Sequence, residues 1–157
     1  MTGQRYGYYS PFAFSDAAIT ACGLSYNGAD PTKHQWDRVV CIYIWALETS
    51  ASTAEILKLW NHQVHQWLKH YVQARVVTPG VKPGMKENMS VFAVSAFWHG
   101  FYPFYYVMFF FAAINLELCK DIYKSRILFR WIPPMARHVI ANFLTIGSMN
   151  YFAISFC

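Results

Sequence analysis

Residues 88–118 read NMSVFAVSAFWHGFYPFYYVMFFFAAINLEL, and from 89 to 116 they contain no Asp, Glu, Lys or Arg. As a helix, such a run is long enough to cross the roughly 30 Å hydrocarbon core of a bilayer, with residues left over for tilt or a break. A break has a natural place. Pro103 lacks an N–H and its ring clashes with the preceding turn, and Gly100 stands three residues before it. Irregular backbone at membrane depth is tolerated only when buried in protein or lining a wet cavity. One ionisable ring, His99, sits in the middle, between Trp98 and Gly100. The fold turns on whether this stretch is a membrane segment, and the function on whether His99 is chemistry or a satisfied core residue.

Composition favours lipid contact. Hydrophobic residues make up 55% of the chain and aromatics 19%, while charged residues reach only 13%, against about 25% in an average soluble domain. Mean hydropathy is +0.19. The net charge of +5 does not point to nucleic acid, because the basic residues are not gathered into one run. Lys82 and Lys86 precede the long apolar run, and Lys120, Lys124, Arg126 and Arg130 follow it. That distribution suits anchoring at the headgroup level. Cys22, Cys41, Cys119 and Cys157 show no CxxC spacing and read as free buried thiols.

Outward from the long run, a loop with two Pro-Gly pairs (VTPGVKPGMKE, 77–87) separates it from STAEILKLWNHQVHQWLKHYVQARV, 52–76. There Ile56, Trp60, Val64, Trp67, Leu68 and Tyr71 recur at three and four, which predicts one amphipathic helix. Ser52 and Glu55 have capping-box spacing at its start. Its basic, histidine-rich remainder suits a membrane surface or packing on a helical core. Residues 1–36 are rich in Gly, Ser and Tyr without periodicity and are expected to be irregular, with turn formers dense over 23–37. The run at 37–47 is too short for a span. No secretory signal pattern opens the chain. VIANFLTIGSMNYFAISFC, 139–157, is a second uncharged run and a second expected membrane segment. It reaches Cys157 without a polar flank, so the chain reads as part of a larger polytopic protein.

An ionisable residue within an apolar span is functional by default, but such groups also hydrogen-bond neighbouring helices purely for packing. For His99 the two readings balance on position alone. Gly100 leaves room for a substrate near the backbone, and Pro103 would open the helix. Asn61, beside Trp60, could donate to an oxyanion, although a solvated or capping amide is the commoner case. His62 and His65 share a helix face and His70 lies near, but neither cysteine nor carboxylate completes a metal set, and no metal is expected. Ser95 has no GxSxG context, and no phosphate loop or carboxylate pair is present. What remains is chemistry that a single histidine assists as general base.

Several segments taken together resemble the membrane-bound O-acyltransferase family, and within it the lysophospholipid acyltransferase branch. They are GLSYNG followed by Trp36-Asp37, then LWNHQVHQWLKHYVQAR, GVKPGMK, SAFWHGFYPFYY and a closing hydrophobic segment. The resemblance covers most of residues 23–157, with SAFWHG its most specific piece. Phe104 departs from the branch, which has glycine after the proline. The resemblance implies an all-α, polytopic membrane protein, a helical bundle with amphipathic and re-entrant helices around a buried catalytic chamber. Residues 1–157 would then be a partial domain of that family.

The resemblance also implies His99 as the catalytic histidine and Asn61 as its paired asparagine. Trp60, Trp98, Gly100, Pro103, Tyr105 and Tyr106 would line the substrate site. The implied reaction moves an acyl chain from acyl-CoA, a co-substrate, to the free hydroxyl of a lysophospholipid, with no bound cofactor. A neutral imidazole is needed, and an apolar setting favours it. Partners would be acyl-CoA, lysophospholipid, membrane lipid and further N-terminal helices, without nucleic acid. The location would be integral to the membrane, in the endoplasmic reticulum. Two alternatives stay open: a different acceptor (sterol, diacylglycerol or protein), or a non-catalytic membrane fragment of such an enzyme.

Overall fold

The computed structural model describes residues 2–28, 30, 32, 35–124 and 130–154, and every regular element among them is helical. In chain order these are α1 (Thr2–Ala21), α2 (Ile44–Thr49), α3 (Thr53–Leu59), α4 (His62–Trp67), a π-helical turn (Leu68–Gln73), α5 (Ala74–Val76), α6 (Met85–His99), α7 (Pro103–Lys124) and α8 (Pro134–Ile154).

The expectation of an irregular segment at 1–36 is corrected by α1 over residues 2–21. Here tertiary packing, not an internal stripe, supports the helix. Tyr9 and Phe12, three residues apart, close on the Trp60 ring at centroid distances of 6.1 and 5.4 Å. The Tyr9 hydroxyl also donates to the Glu48 carboxylate. Gly23 ends the helix at φ 76°. The Gly23 and Leu24 N–H groups bond back to the Thr20 and Ile19 carbonyls at 2.9 and 3.1 Å, the Schellman pattern that glycine admits.

Tyr9, Ile42, Leu47 and Ile56 form a buried core, with Phe12, Leu59, Trp60 and Ile146 packed against it. It joins α1, α2, α3 and α8. The Asn142 amide of α8 donates to the carbonyls of Glu48 (3.0 Å) and Ser50 (2.6 Å), at the end of α2. Carbonyls at a helix end are left without the N–H of a following turn, and this amide bonds two of them. Asn142→Ala is therefore expected to lower stability by about 1–3 kcal/mol. A circular-dichroism melt in detergent should show an earlier midpoint with unchanged helix content at low temperature; an unchanged midpoint would remove the staple from this account.

The single helix predicted over 52–76 is corrected to four elements, α3, α4, the π turn and α5, interrupted at Trp60–Asn61 and wound as a π turn from Leu68 to Gln73. The stripe splits as a result. Ile56 and Leu68 are buried, whereas Trp67 and Tyr71 stack on each other at 5.8 Å on the exposed side. The capping box also differs from expectation. Ser52 makes no side-chain cap; Ser50 donates to Glu55 at 2.8 Å instead.

The long uncharged run folds as a helical hairpin, broken where Gly100 and Pro103 suggested. Pro103 takes the first position of α7, where its missing N–H costs nothing. Ala96 of α6 and Ala113 of α7 are almost fully buried, small enough to let the helices approach closely. The run at 88–118 is therefore two helices joined at the expected break. At 15 residues α6 is about 22 Å long, and α7 carries Glu117, Lys120, Asp121 and Lys124. The segment expected at 139–157 begins earlier, as α8 at Pro134, and residues 155–157 lie outside the described residues. Among the described residues no helix is long and apolar enough to cross a membrane. Cys22 is exposed and Cys41 and Cys119 half-buried, which corrects the uniform burial expected of the thiols; Cys157 lies outside the described residues.

Candidate active site

His99 is the last residue of α6. Its ring stacks on Trp98 at 4.5 Å with an interplanar angle of 29° and meets Phe109 at 5.1 Å and Tyr105 at 6.0 Å, both from α7. The hairpin therefore folds two α7 rings back onto the histidine at the end of α6. Phe109 was not singled out by motif, though it lies one helical turn after Tyr105 and so on the same face. His99 is exposed. Its place at the helix end, where the chain turns, leaves one side uncovered.

Gly100 supports this arrangement through its backbone. It lies at φ 119°, ψ −178°, a region that only glycine enters without strain. A Cβ built there meets nothing within 4 Å, so the position has the open space expected of it. Gly100→Ala is expected to cost about 1–3 kcal/mol, all of it backbone strain. The melting midpoint should fall, and His99 should lose its stack on Trp98. An alanine variant that melts with the parent would show that the turn relaxes freely.

Asn61 stands at the break between α3 and α4, in the left-handed conformation (φ 46°, ψ 55°). Among the described residues it is the one non-glycine with positive φ. Asparagine tolerates that region better than most residues, and such positions cluster at functional sites. The apolar run at 37–47 holds the break open. The His62 N–H donates to the Cys41 carbonyl at 2.7 Å, the Tyr43 N–H to Leu59 at 3.3 Å, and the Gln63 amide to Val40 at 3.1 Å. Among the described residues the Asn61 side chain makes no hydrogen bond, which leaves its donors available.

The other expected site residues divide. Trp98, Tyr105, Gly100 and Pro103 surround or frame His99. Tyr106 is exposed on α7. Trp60 is partly buried against the core, and Tyr8, Tyr9 and Phe12 pack on its ring. The His62 ring bonds the Lys58 carbonyl at 2.8 Å and lies 3.4 Å from the Gln66 amide. His65 is held below the usual histidine range, first by burial and then by the neighbouring charges of His62, Lys69 and Lys58. Cys41 is pushed up to about 11, chiefly by burial and then by Asp16, whose carboxylate also accepts the Cys41 N–H at 2.8 Å. Among the described residues no three His, Cys, Asp or Glu side chains gather in a metal-binding group.

The family model that matches this chain is that of the membrane-bound O-acyltransferase family, over residues 1–157. A lysophospholipid acyltransferase of Saccharomyces cerevisiae is 42% identical over 123 residues, 77% of this chain and 20% of that protein. Lysophospholipid acyltransferase 2 of Arabidopsis thaliana is 38% identical over 161 residues, 97% of this chain and 34% of that protein. Membrane-bound glycerophospholipid O-acyltransferase 1 of Mus musculus is 29% identical over 157 residues, 99% of this chain and 30% of that protein. The chain thus spans between a fifth and about a third of the length of these relatives.

Proposed function

The chain belongs to the membrane-bound O-acyltransferase family, and from that premise we propose that it carries the reacting residues for acyl transfer from acyl-CoA to the free hydroxyl of a lysophospholipid. The observation that carries this reading is His99 itself. An imidazole is seated at a helix end by Trp98, Tyr105 and Phe109, and Gly100 beside it has open space. In this reading a ring nitrogen of His99 takes the acceptor's hydroxyl proton as the oxygen attacks the thioester carbonyl. The carbonyl oxygen gains negative charge, and the Asn61 amide is the donor proposed to meet it. Collapse of the tetrahedral intermediate breaks the carbon–sulfur bond. The imidazolium then returns its proton to the leaving CoA thiolate.

Relatives named for lysophospholipids support the choice of acceptor. The walls of an enclosed chamber would come from the rest of a longer protein, set against the exposed side of His99. The endoplasmic reticulum is the proposed location. Membranes containing the chain, given labelled acyl-CoA, a panel of lysophospholipids and a competing sterol, test the reading. Label should enter phospholipid, resist sterol competition and vanish in His99→Ala. Label entering the sterol instead would transfer the mechanism to another acceptor, and labelling that persists in His99→Ala would remove His99 from it.

A further inference from the structure

The two proposed reacting residues sit on separate arms. Asn61 begins the arm made of α4, the π turn and α5, and His99 ends α6. Residues 77–84 turn the chain from one to the other, and the π turn packs against α6. Far from either reacting residue, a partly buried polar cluster joins the arms. Asn88, in the first turn of α6, is only 6% exposed. Its amide nitrogen donates to Glu117 Oε1 of α7 at 2.5 Å, and its Oδ1 accepts from the Gln73 amide, the last residue of the π turn, at 3.4 Å. Lys120 closes on the same Glu117 oxygen at 2.7 Å. Glu87 fixes the start of α6 by accepting the Gly84 N–H at 2.8 Å.

We infer that Asn88 is a positioning residue: with Glu117, Lys120 and Gln73 it forms a brace that sets the angle between the Asn61 arm and the His99 hairpin. Three elements meet at one side chain, and both polar ends of that side chain are used. Gln73 lies twelve residues after Asn61, and Asn88 lies eleven before His99. Along helices at about 1.5 Å per residue these are lever arms of similar length, near 16–18 Å. A small rotation at the brace therefore becomes a displacement of several ångströms where the proposed acid–base chemistry takes place. Buried networks of this kind hold their geometry only when every member is satisfied.

This inference rests on the acyl-transfer reading for its consequence but not for its geometry, and its test separates the two. Asn88→Asp sets two carboxylates against each other. Adding Glu117→Gln reverses the polarity of the pair and restores one amide and one carboxylate. Nitroxides are placed at Lys69 and Phe101, both exposed, in a background with the native cysteines changed to serine. Pulsed spin resonance should then give one narrow distance distribution in the parent chain. Asn88→Asp should broaden or shift it by several ångströms while circular dichroism stays helical, and the double variant should restore it. In parallel, transfer per folded molecule should fall at least tenfold in Asn88→Asp with KM for acyl-CoA unchanged, and should recover in the double variant. An unmoved distribution in folded Asn88→Asp overturns the brace. If Asn88→Asp does not fold, a double variant that folds but keeps a broad distribution overturns it equally. Transfer indifferent to His99→Ala would overturn the earlier reading alone, while the distances still decide the brace.

Discussion

His99→Ala should lower acyl transfer by about 10²- to 10⁴-fold, the range that a positioned general base contributes. The rings described at the end of α6 offer no base of the same kind. Among the described residues, rings of Trp98, Tyr105 and Phe109 pack on it, and an indole, a phenol and a phenyl ring lack the basic ring nitrogen of an imidazole. The melting midpoint should fall modestly. The residue is exposed and helix-terminal, which weakens its ring contacts toward the lower end of about 0.5–1.5 kcal/mol each. The measurement is initial rate per folded molecule with labelled acyl-CoA, beside a melting curve. A fully active alanine variant would end the proposed role; a variant that melts far below the parent would show that the histidine is mainly structural.

Asn61→Gly is the second large effect, and it separates two functions of one residue. Glycine enters the left-handed region freely, so the break between α3 and α4 should persist and the melting midpoint should hold or rise slightly. The amide is gone, and losing one oxyanion donor typically costs about 10²–10³ in kcat. Asn61→Ala loses the amide and is also strained at φ 46°. It should match the glycine variant in rate but melt earlier. Should Asn61→Gly retain the parent rate, the asparagine would be there for its backbone alone.

The sequence made some of this visible, for reasons that differ by residue. Gly100 and Pro103 announced the hairpin because glycine admits backbone conformations that other residues resist and proline cannot continue a helix begun before it, and the structure breaks the chain there. Asn61 gave no local sign of its conformation. Its left-handed turn depends on Val40, Cys41 and Tyr43 bonding to the edges of the break, and these lie some twenty residues upstream. Trp60 is a similar case: it belongs to the stripe by spacing, yet the rings that pack on it are in α1. The α1 helix itself was hidden because its residues are helical through contacts with Trp60 and Glu48, not through a period of their own. Asn88 and Glu117 sit 29 positions apart, a separation at which neither residue hints at the other.

The π turn at Leu68–Gln73 gives this arm one residue of slack. A π turn takes up one more residue than an α turn, since its hydrogen bonds skip five positions instead of four. Deleting one residue there would let the turn close with α spacing, and the faces on either side would stay in register. An added residue has no such slack to enter; in α spacing it would swing everything upstream by about 100° around the axis. Asn61 would then face away from its present direction, although no residue near it had been touched. Exposed side chains such as Lys69 and His70 can be exchanged at little cost, but a one-codon insertion among them would act on Asn61 from a distance.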